Sequence, residues 1–460
     1  MTTWYPMFVL LVGLGTVVGG IVILRLHAFV ALITAAIVVS LLAPGAWDDK
    51  IPRVAEAFGS TAAGVGVVIA LAAIIGMAMT ASGAADRIVR MFLGLFGERR
   101  AGTALMASGF TLAIPVFFDT VFFLLIPLVR SMYRRTGKHY LKYLIAVATC
   151  AVAHALIPPT PGPLIVAGTL GVDLGVMMMV GFVVAIPAAV AALWFASWAD
   201  RRVPVSVSAD LVAPVDTDAL PDEALPGLGR SLAPILLPVA LISANTVFNA
   251  LGIMAGATGT WLVVSRAITV LGNPQMALLL SASVALLTYW RHCRPSAQQL
   301  STSVGEALMT GGVIVLITCA GGAFGGALKS AQLAPAIQTL AGDSATEGLG
   351  MLLLAFSMAA LLKFAQGSST AAMIVTSAMF VAMIEPATLG YHPVYIATAI
   401  GSGSLVGSWM NDSGFWIFAR MGGLTELQTL RTWTPLSALL GAVSMTMTLL
   451  LAVFLPMGTA

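Results

Sequence analysis

The sequence has 460 residues, of which 59% are hydrophobic and only 9% are charged. Soluble globular proteins carry about 25% charged residues, so the composition excludes that class and predicts a chain that crosses a membrane many times. The formal net charge of +3 is spread over short segments, with no basic block that would indicate a nucleic-acid partner. The three cysteines have neither metal-ligand nor disulfide spacing, and we interpret them as packing residues.

The apolar runs of the first half predict six membrane elements. The run at 101–130 is too long for one span, which needs about 20 residues, and basic residues flank both of its ends. Because basic residues collect on the cytoplasmic side, we interpret this run as a re-entrant hairpin with its tip at 115–120 and the basic flanks as loops. In chain order, the elements are spans at 5–24, 28–42 and 60–82, the hairpin, a span at 143–170 that the proline-rich segment 154–163 breaks, and a span at 174–198.

The same order of elements restarts after a polar, proline-containing linker at 200–230. A second long run, 348–385, has acidic flanks and a polar centre, so we interpret it as a hairpin that enters from the opposite side. With this topology, 17 of the 22 lysines and arginines are cytoplasmic and four are outside. The elements are spans at 232–251, 274–290 and 306–328, a short segment at 259–271, the hairpin, a span at 393–420 broken at 401–414, and a span at 435–455.

These elements predict an all-α polytopic membrane protein with two inverted-topology repeats, each containing a re-entrant hairpin and a broken transmembrane helix. Inverted repeats whose broken helices meet near the midplane are typical of secondary transporters. The predicted location is a bacterial-type inner membrane, with the N-terminus outside. The predicted units are the first repeat 1–199 (scaffold helices 1–45, transport elements 60–198), the cytoplasmic linker 200–230, and the second repeat 231–460 (scaffold helices 231–291, transport elements 304–456).

The two hairpin tips and the two helix breaks converge in this arrangement and form the predicted site. Helices that restart there point unpaired N–H groups and the positive end of the helix dipole at the site, which favours a hydroxylated carboxylate substrate. An acid at this depth is costly and indicates function, so Asp119 is the predicted proton carrier, assisted by Asp412 and His154. No metal or cofactor is predicted. The predicted substrate-binding residues are Thr160, Lys363, Gln366, Gly367, Ser368, Ser369, Thr370, Ser404 and Asn411.

Other roles remain open for these residues and for the chain. Asp119 and Asp412 also fit helix caps, Lys363 also fits an ion pair with either of them, and His154 also fits a hydrogen-bonded structural role. Sodium coupling is an alternative that uses Asn411 and Asp412 as oxygen ligands. An intramembrane enzyme is disfavoured because the sequence contains neither H-E-x-x-H nor G-x-S-x-G, and a channel is disfavoured because no ring of charged residues is indicated.

At five stretches the sequence resembles the gluconate:proton symporter family, also called the gluconate permease or GntP family, within a wider ion-transporter superfamily. The resemblance implies proton-coupled uptake of gluconate or a related sugar acid, or alternatively of another small acid such as glycerate, D-serine or a hydroxybutyrate. It also implies a homodimer of the elevator type, in which a transport domain slides against a scaffold domain. The stretches are IPVFFDTVFFLLIPL (114–128), HALIPPTPGP (154–163), GGAFGGAL (321–328), AQGSST (365–370) and GSGSLVGSWMNDSGFW (401–416).

Three positions depart from the pattern of that family, and all three lie at the predicted site. Asp119 stands where the family usually has Glu, and Thr160 stands where it usually has His. Lys363 stands where it usually has Arg, and Lys lacks the planar fork with which Arg binds a carboxylate through two parallel hydrogen bonds. The resemblance therefore predicts transport more strongly than it predicts gluconate itself.

Overall fold

The structure is a computed structural model that describes residues 4–205, 224–250, 260–331, 348–381, 383–384, 389–410 and 412–458, and every regular element in these ranges is helical. The helices of the first part are α1 (Trp4–Val18), α2 (Ala28–Leu42), α3 (Pro52–Ala81), α4 (Ala84–Phe96), α5 (Ala101–Leu112), α6 (Phe118–Thr136), α7 (Tyr140–Ala148), α8 (Cys150–Leu156), α9 (Pro161–Thr169) and α10 (Leu174–Arg202). The helices of the second part are α11 (Leu228–Ala250), α12 (Thr260–Leu271), α13 (Pro274–Cys293), α14 (Ala297–Ser330), α15 (Leu349–Gln366), α16 (Ser369–Phe380), α17 (Val394–Gly403), α18 (Ser413–Gly422) and α19 (Glu426–Phe454).

The lengths and apolar composition of these helices are those of a multi-pass membrane protein. Within the described ranges, five helices are long and apolar enough to cross a membrane, counting Tyr140–Thr169 as one interrupted helix. Two further pairs of bent helices also qualify, and one of them, Val263–Leu271 with Pro274–Cys293, bends by 70°. The prediction of an all-helical protein with several spans is therefore confirmed.

Two segments that we predicted to be basic loops are helical, and those predictions were wrong. Helix α4 occupies most of the first segment and is amphipathic, because its small and apolar residues recur at helical spacing and face the protein. Helix α6 continues to Thr136 and so covers the first half of the second segment, 131–142, and α7 begins at Tyr140 after a short turn. A high local density of basic residues therefore does not by itself end a helix.

The segment 101–136 is a pair of antiparallel helices around the non-helical residues 113–117. Helix α5 runs beside α7 in the same direction, whereas α6 runs beside α7 in the opposite direction. Between α5 and α7, Gly102 lies against Lys142 and Gly109 against Val147. At the two ends of α6, the cap residue Phe117 contacts His154 of α8, which follows α7, and Tyr133 contacts Tyr140 at the start of α7. The turn between α5 and α6 consequently lies near the end of α8, at the break before α9.

The second half also contains two helices, α15 and α16, that are joined by a short non-helical turn. Helix α15 ends at Gly367, whose φ of +77° is easily adopted only by glycine, and α16 begins after it. Helix α15 runs beside α17 in the same direction, as α5 does beside α7. The supporting contacts are Gly403 with Phe356 and Gly407 with Phe364.

Helices from the two halves of the chain pack against each other throughout the molecule. Helix α14 lies along α2 and antiparallel to α3, and the pair α11 and α13 packs on α3 and α10. Helix α16 contacts α9, and α6 contacts α18, so the second arm of each helix pair meets the restarted helix of the other half. The two breaks also meet, because Gly401 of α17 lies against the carbonyl of Ala155 in α8.

Candidate functional site

A polar cavity of about 350 Å³ lies where the two helix turns and the two helix breaks meet. Three helices begin at its wall, α6, α16 and α18, so their unpaired N–H groups and positive dipole ends face the same space. The polar residues that line it are Asp119, Thr120, His154, Thr310, Lys363, Ser368, Ser369, Thr370, Ser408, Asp412, Ser413 and Ser437.

Asp119 lies in the first turn of α6, and its carboxylate is exposed to the cavity. The residue at the cap position of α6 is Phe117, and the start of this helix has no side-chain cap. In the described part of the chain Asp119 makes no hydrogen bond or ion pair. Its two oxygens are thus free to bind a proton or another ligand of the cavity.

The first break separates α8 from α9 and places His154 at the cavity. The ring of His154 packs edge-on against Phe117, with centroids 6.3 Å apart, and its Nδ1 atom is buried without a hydrogen-bond partner in the described residues. Thr160 does not line the cavity. Its hydroxyl Oγ1 lies 2.9 Å from the carbonyl of His154 and 2.7 Å from that of Ile157, so it closes the break by hydrogen bonding to the end of α8.

The turn between α15 and α16 places a buried cation and three hydroxyl residues at the cavity. Lys363 is only 2% exposed, and its ammonium donates hydrogen bonds to the carbonyl of Gly367 and to Oδ2 of Asp412, each at 2.8 Å. An ammonium has three N–H donors, so one of the three remains for a ligand. Ser368 caps α16 through the N–H of Ala371, and Ser369 and Thr370 follow at the cavity wall.

The second break ends at Asp412, which is the N-cap of α18. Its Oδ1 accepts the backbone N–H of Gly414 at 3.0 Å. Its Oδ2 accepts hydrogen bonds from Lys363 and from the hydroxyl of Ser408. Asp412 is therefore a helix cap and the partner of Lys363 at the same time, two roles that the sequence left as alternatives.

Three of the predicted residues do not present a side chain to the cavity, and two others cannot be placed. Thr160 is one, and Gly367 contributes its carbonyl to Lys363 instead. Ser404 is buried, with its hydroxyl on the carbonyl of Gly401. The side chain of Gln366 and the whole of Asn411 lie outside the described residues.

Ser408 and Trp433 line the cavity but were missed by the sequence analysis. The indole Nε1 of Trp433 donates to Ser408 Oγ at 2.5 Å, and its ring packs against Phe118 and Phe418 with centroids 5.5 and 5.4 Å apart. Ser408 lies inside a motif that the sequence singled out, GSGSLVGSWMNDSG, so its polar spacing was an available signal. Trp433 lies in the polar first turns of α19, outside the predicted span, and no local pattern indicates it.

Comparisons with known proteins match nearly the whole chain to one family. A family model described as GntP family permease matches residues 5–454. The chain is 33% identical over 453 residues to a gluconate permease of Pseudomonas aeruginosa, covering 97% of this chain and 98% of that protein. It is 31% identical over 441 residues to a low-affinity gluconate transporter of Escherichia coli, covering 93% and 95%. In fold it is similar to Neisseria gonorrhoeae MtrF, of a class of antimetabolite efflux pumps, with a TM-score of 0.61, 16% identity and coverage of 92% and 94%.

Proposed function

This chain belongs to the GntP family of permeases, which are membrane transporters and not enzymes, and from that membership we propose a specific activity for it. The protein is a secondary active transporter that takes up a small hydroxylated carboxylate, such as gluconate or a related sugar acid, together with protons. The observation that carries the proposal is the cavity, which combines a free carboxylate, a buried ammonium and three helix N-termini.

The charges of the cavity favour one bound anion. Lys363 and Asp412 form a neutral pair, so the positive ends of α6, α16 and α18 determine the potential that an incoming carboxylate meets. The remaining N–H of Lys363 and the hydroxyl of Thr370 supply donors for the carboxylate and for hydroxyl groups, whereas the hydroxyl of Ser369 donates to the carbonyl of Ser404 and keeps only its lone pairs for a ligand. A small hydroxy acid fits this set of donors better than an apolar ligand does.

Asp119 supplies the coupling in this proposal. When it is ionised, its negative charge lies in the same cavity as the substrate carboxylate and repels it. When it is protonated, that repulsion is removed and its O–H becomes a further donor. Binding of the anion and binding of the proton therefore favour each other, which is the thermodynamic requirement for symport.

The geometry at Asp412 favours protons over sodium as the coupling ion. A sodium site at the second break needs oxygens of Asp412, but both oxygens already accept hydrogen bonds, from Lys363, Ser408 and the N–H of Gly414. The Lys363 ammonium is itself a cation at this position, and a second cation there is repelled. Asp119, in contrast, has two unoccupied oxygens within the described residues.

The architecture that we propose has two inverted repeats and an elevator-type movement. The supporting observation is that similar contacts cross between the two halves in both directions. Helix α16 contacts α9 as α6 contacts α18. Helix α2 packs on α14, and α13 packs on α3. The helices within 1–45 and 231–291 form the scaffold and carry the interface of a homodimer. The protein lies in the inner membrane with its N-terminus outside, as the distribution of basic residues supports.

The proposed function is tested by uptake into liposomes that contain the purified protein. We expect saturable uptake of labelled gluconate under an inward proton gradient, and its loss when a protonophore is added. Asp119→Asn removes the proton site but not the donors for the anion, so it should abolish accumulation while retaining exchange of labelled for unlabelled substrate. Asp119→Glu is the matched control, because it keeps a carboxylate at the same position, and it should retain accumulation.

Each alternative gives a different result in the same assay. Accumulation by Asp119→Asn at the level of the unmodified protein would show that Asp119 does not carry the proton. Uptake that follows a sodium gradient at constant pH would replace proton coupling with sodium coupling. If gluconate, glycerate, D-serine and hydroxybutyrate are neither transported nor exchanged, the proposed substrate class is wrong.

A further inference from the structure

The hydrogen bonds around Asp412 form a chain that begins at Trp433, a residue distant in sequence. We propose that Trp433 is a positioning residue for substrate binding, which acts through Ser408 to hold Asp412 and, through Asp412, the ammonium of Lys363. The inference rests on the proposed function, because it assigns Lys363 a ligand to bind. It concerns a side chain on α19 that the sequence motifs do not include.

The direction of the hydrogen bonds follows from the chemistry of the side chains. An indole N–H can only donate, so Ser408 Oγ must accept the bond from Trp433, at 2.5 Å. A serine hydroxyl has one hydrogen, and this hydrogen remains available for Asp412 Oδ2, which lies in short contact with Ser408 Oγ. Trp433 therefore fixes the orientation in which Ser408 is a donor to Asp412.

A second contact prevents Ser408 from moving away. The hydroxyl of Thr434, the residue after Trp433, donates to the backbone carbonyl of Ser408 at 2.8 Å. Side chain and backbone of Ser408 are thus both attached to the first part of α19. Ser408 is 1% exposed and Trp433 is 5% exposed, so both residues are largely shielded from water although they line the cavity.

The consequence for Lys363 is a fixed position. A lysine ammonium on its flexible stem is a mobile point charge, and buried lysines need a partner that stays in place. Asp412 holds it at 2.8 Å, and Asp412 is itself fixed by Ser408 and by the N–H of Gly414. Without the Ser408 bond, Asp412 keeps the cap of α18 but loses one of the two donors on Oδ2.

The ring of Trp433 extends the same support to the other side of the cavity. It packs against Phe118, with centroids 5.5 Å apart, and Phe118 precedes Asp119 in the first turn of α6. Through Phe118, Trp433 supports the neighbouring Asp119, the proposed proton carrier. Through Ser408 and Asp412, it also supports Lys363, the proposed anion-binding residue. Asp119 and Lys363 are thus both positioned relative to the same side chain of α19.

The test uses three variants of the full-length protein in liposomes. Trp433→Phe keeps an aromatic ring against Phe118 and removes only the N–H, and Ser408→Ala removes the hydroxyl. We expect each to raise the KM for gluconate by about five- to tenfold while kcat changes by less than about twofold, because the ground-state position of Lys363 is affected. The double variant should be no worse than Ser408→Ala alone, because both changes break the same chain.

Trp416→Phe is the matched control. Trp416 also donates its indole N–H across the second break, at 2.7 Å, but to the backbone carbonyl of Met410 and not to a group on Asp412. We expect its KM to stay within about twofold of the unmodified protein, which separates the loss of this particular hydrogen bond from the general loss of an indole.

The outcomes separate this inference from the proposed function. Unchanged KM values in both single variants, or additive effects in the double variant, would overturn the role of Trp433. If the unmodified protein transports none of the acids tested, the Tm values of the two single variants and the double variant are compared by thermal unfolding without ligand. Non-additive losses of Tm would then support the chain while the proposed function fails, and additive losses would overturn the chain as well.

Discussion

At the scale of single residues, the two aspartates of the cavity differ in how their oxygens are used. Asp412 accepts hydrogen bonds from three donors, whereas Asp119 accepts none within the described residues. The sequence predicts Asp119 as the proton carrier, but it does not show how many hydrogen bonds each carboxylate accepts. The difference depends on Ser408 and Trp433, and only tertiary packing brings Trp433 to the second break.

A histidine outside the spans gives a prediction on pH. The ring Nδ1 of His392 accepts the N–H of Val394 at 3.1 Å, and burial lowers the pKa of His392, although the nearby Asp173 carboxylate acts in the opposite direction. The folded protein therefore holds a neutral ring, and the unfolded chain binds a proton more readily, at its usual pKa of about 6.5. Stability from this group is complete above that pH and is lost as the pH falls below it.

We therefore expect the Tm of the unmodified protein to fall more between pH 7.5 and 5.5 than that of His392→Asn. The asparagine oxygen can accept the same N–H bond from Val394 but carries no titrating group. All other ionisable groups are common to both proteins, so the difference between the two pH profiles isolates His392. Parallel profiles would contradict the prediction.

At the scale of secondary structure, the positions of most helices are predictable from the sequence but their ends often are not. The predicted span 28–42 agrees with α2 at both ends, because non-helical residues flank an apolar run. Helix α14 begins well before the predicted 306, at a capping box formed by Ser296 and Gln299. Helix α19 likewise begins at a capping box of Thr425 and Gln428. An apolar run marks the membrane-embedded part of a helix and misses polar turns that continue beyond it.

The glycines of the GGAFGGAL stretch allow α14 to approach α16 closely. A Cβ atom at Gly321 would lie 1.8 Å from Cγ2 of Ile374, a distance that real contacts do not allow. Gly321→Ala should therefore lower the free energy of unfolding by about 1–3 kcal/mol, as overpacked cores do. Ile374→Ala removes the clashing methyl group, so Gly321→Ala should lower the Tm much less in an Ile374→Ala background than in the unmodified protein.

The matched control is Gly312→Ala, on the same helix. A Cβ atom at Gly312 has no other atom within 4 Å, so this change should leave Tm unchanged or raise it slightly, because alanine favours the helix over the unfolded chain. Equal losses of Tm at both glycines would show that helix flexibility, and not the contact with Ile374, is the property on which the stability of α14 depends.

At the scale of the whole molecule, the order of the apolar elements and the packing between the two halves differ in how far the sequence predicts them. The order is readable from the sequence because hydropathy is a local property. The pairing of α6 with α18 and of α16 with α9 is not, because it depends on contacts between segments hundreds of residues apart. The sequence therefore places the predicted site elements at one depth, and the fold determines which side chains of those elements face each other.

The orientation of the molecule in the membrane can be tested by chemical labelling of its native cysteines. Cys150 and Cys319 are buried, whereas Cys293 is exposed at the end of α13, between Arg291 and Arg294. If basic residues mark the cytoplasmic side, Cys293 is cytoplasmic. A membrane-impermeant maleimide should then label the protein in inverted membrane vesicles but not in intact cells. Cys293→Ser should remove the label, and labelling in intact cells would reverse the topology and place the N-terminus inside.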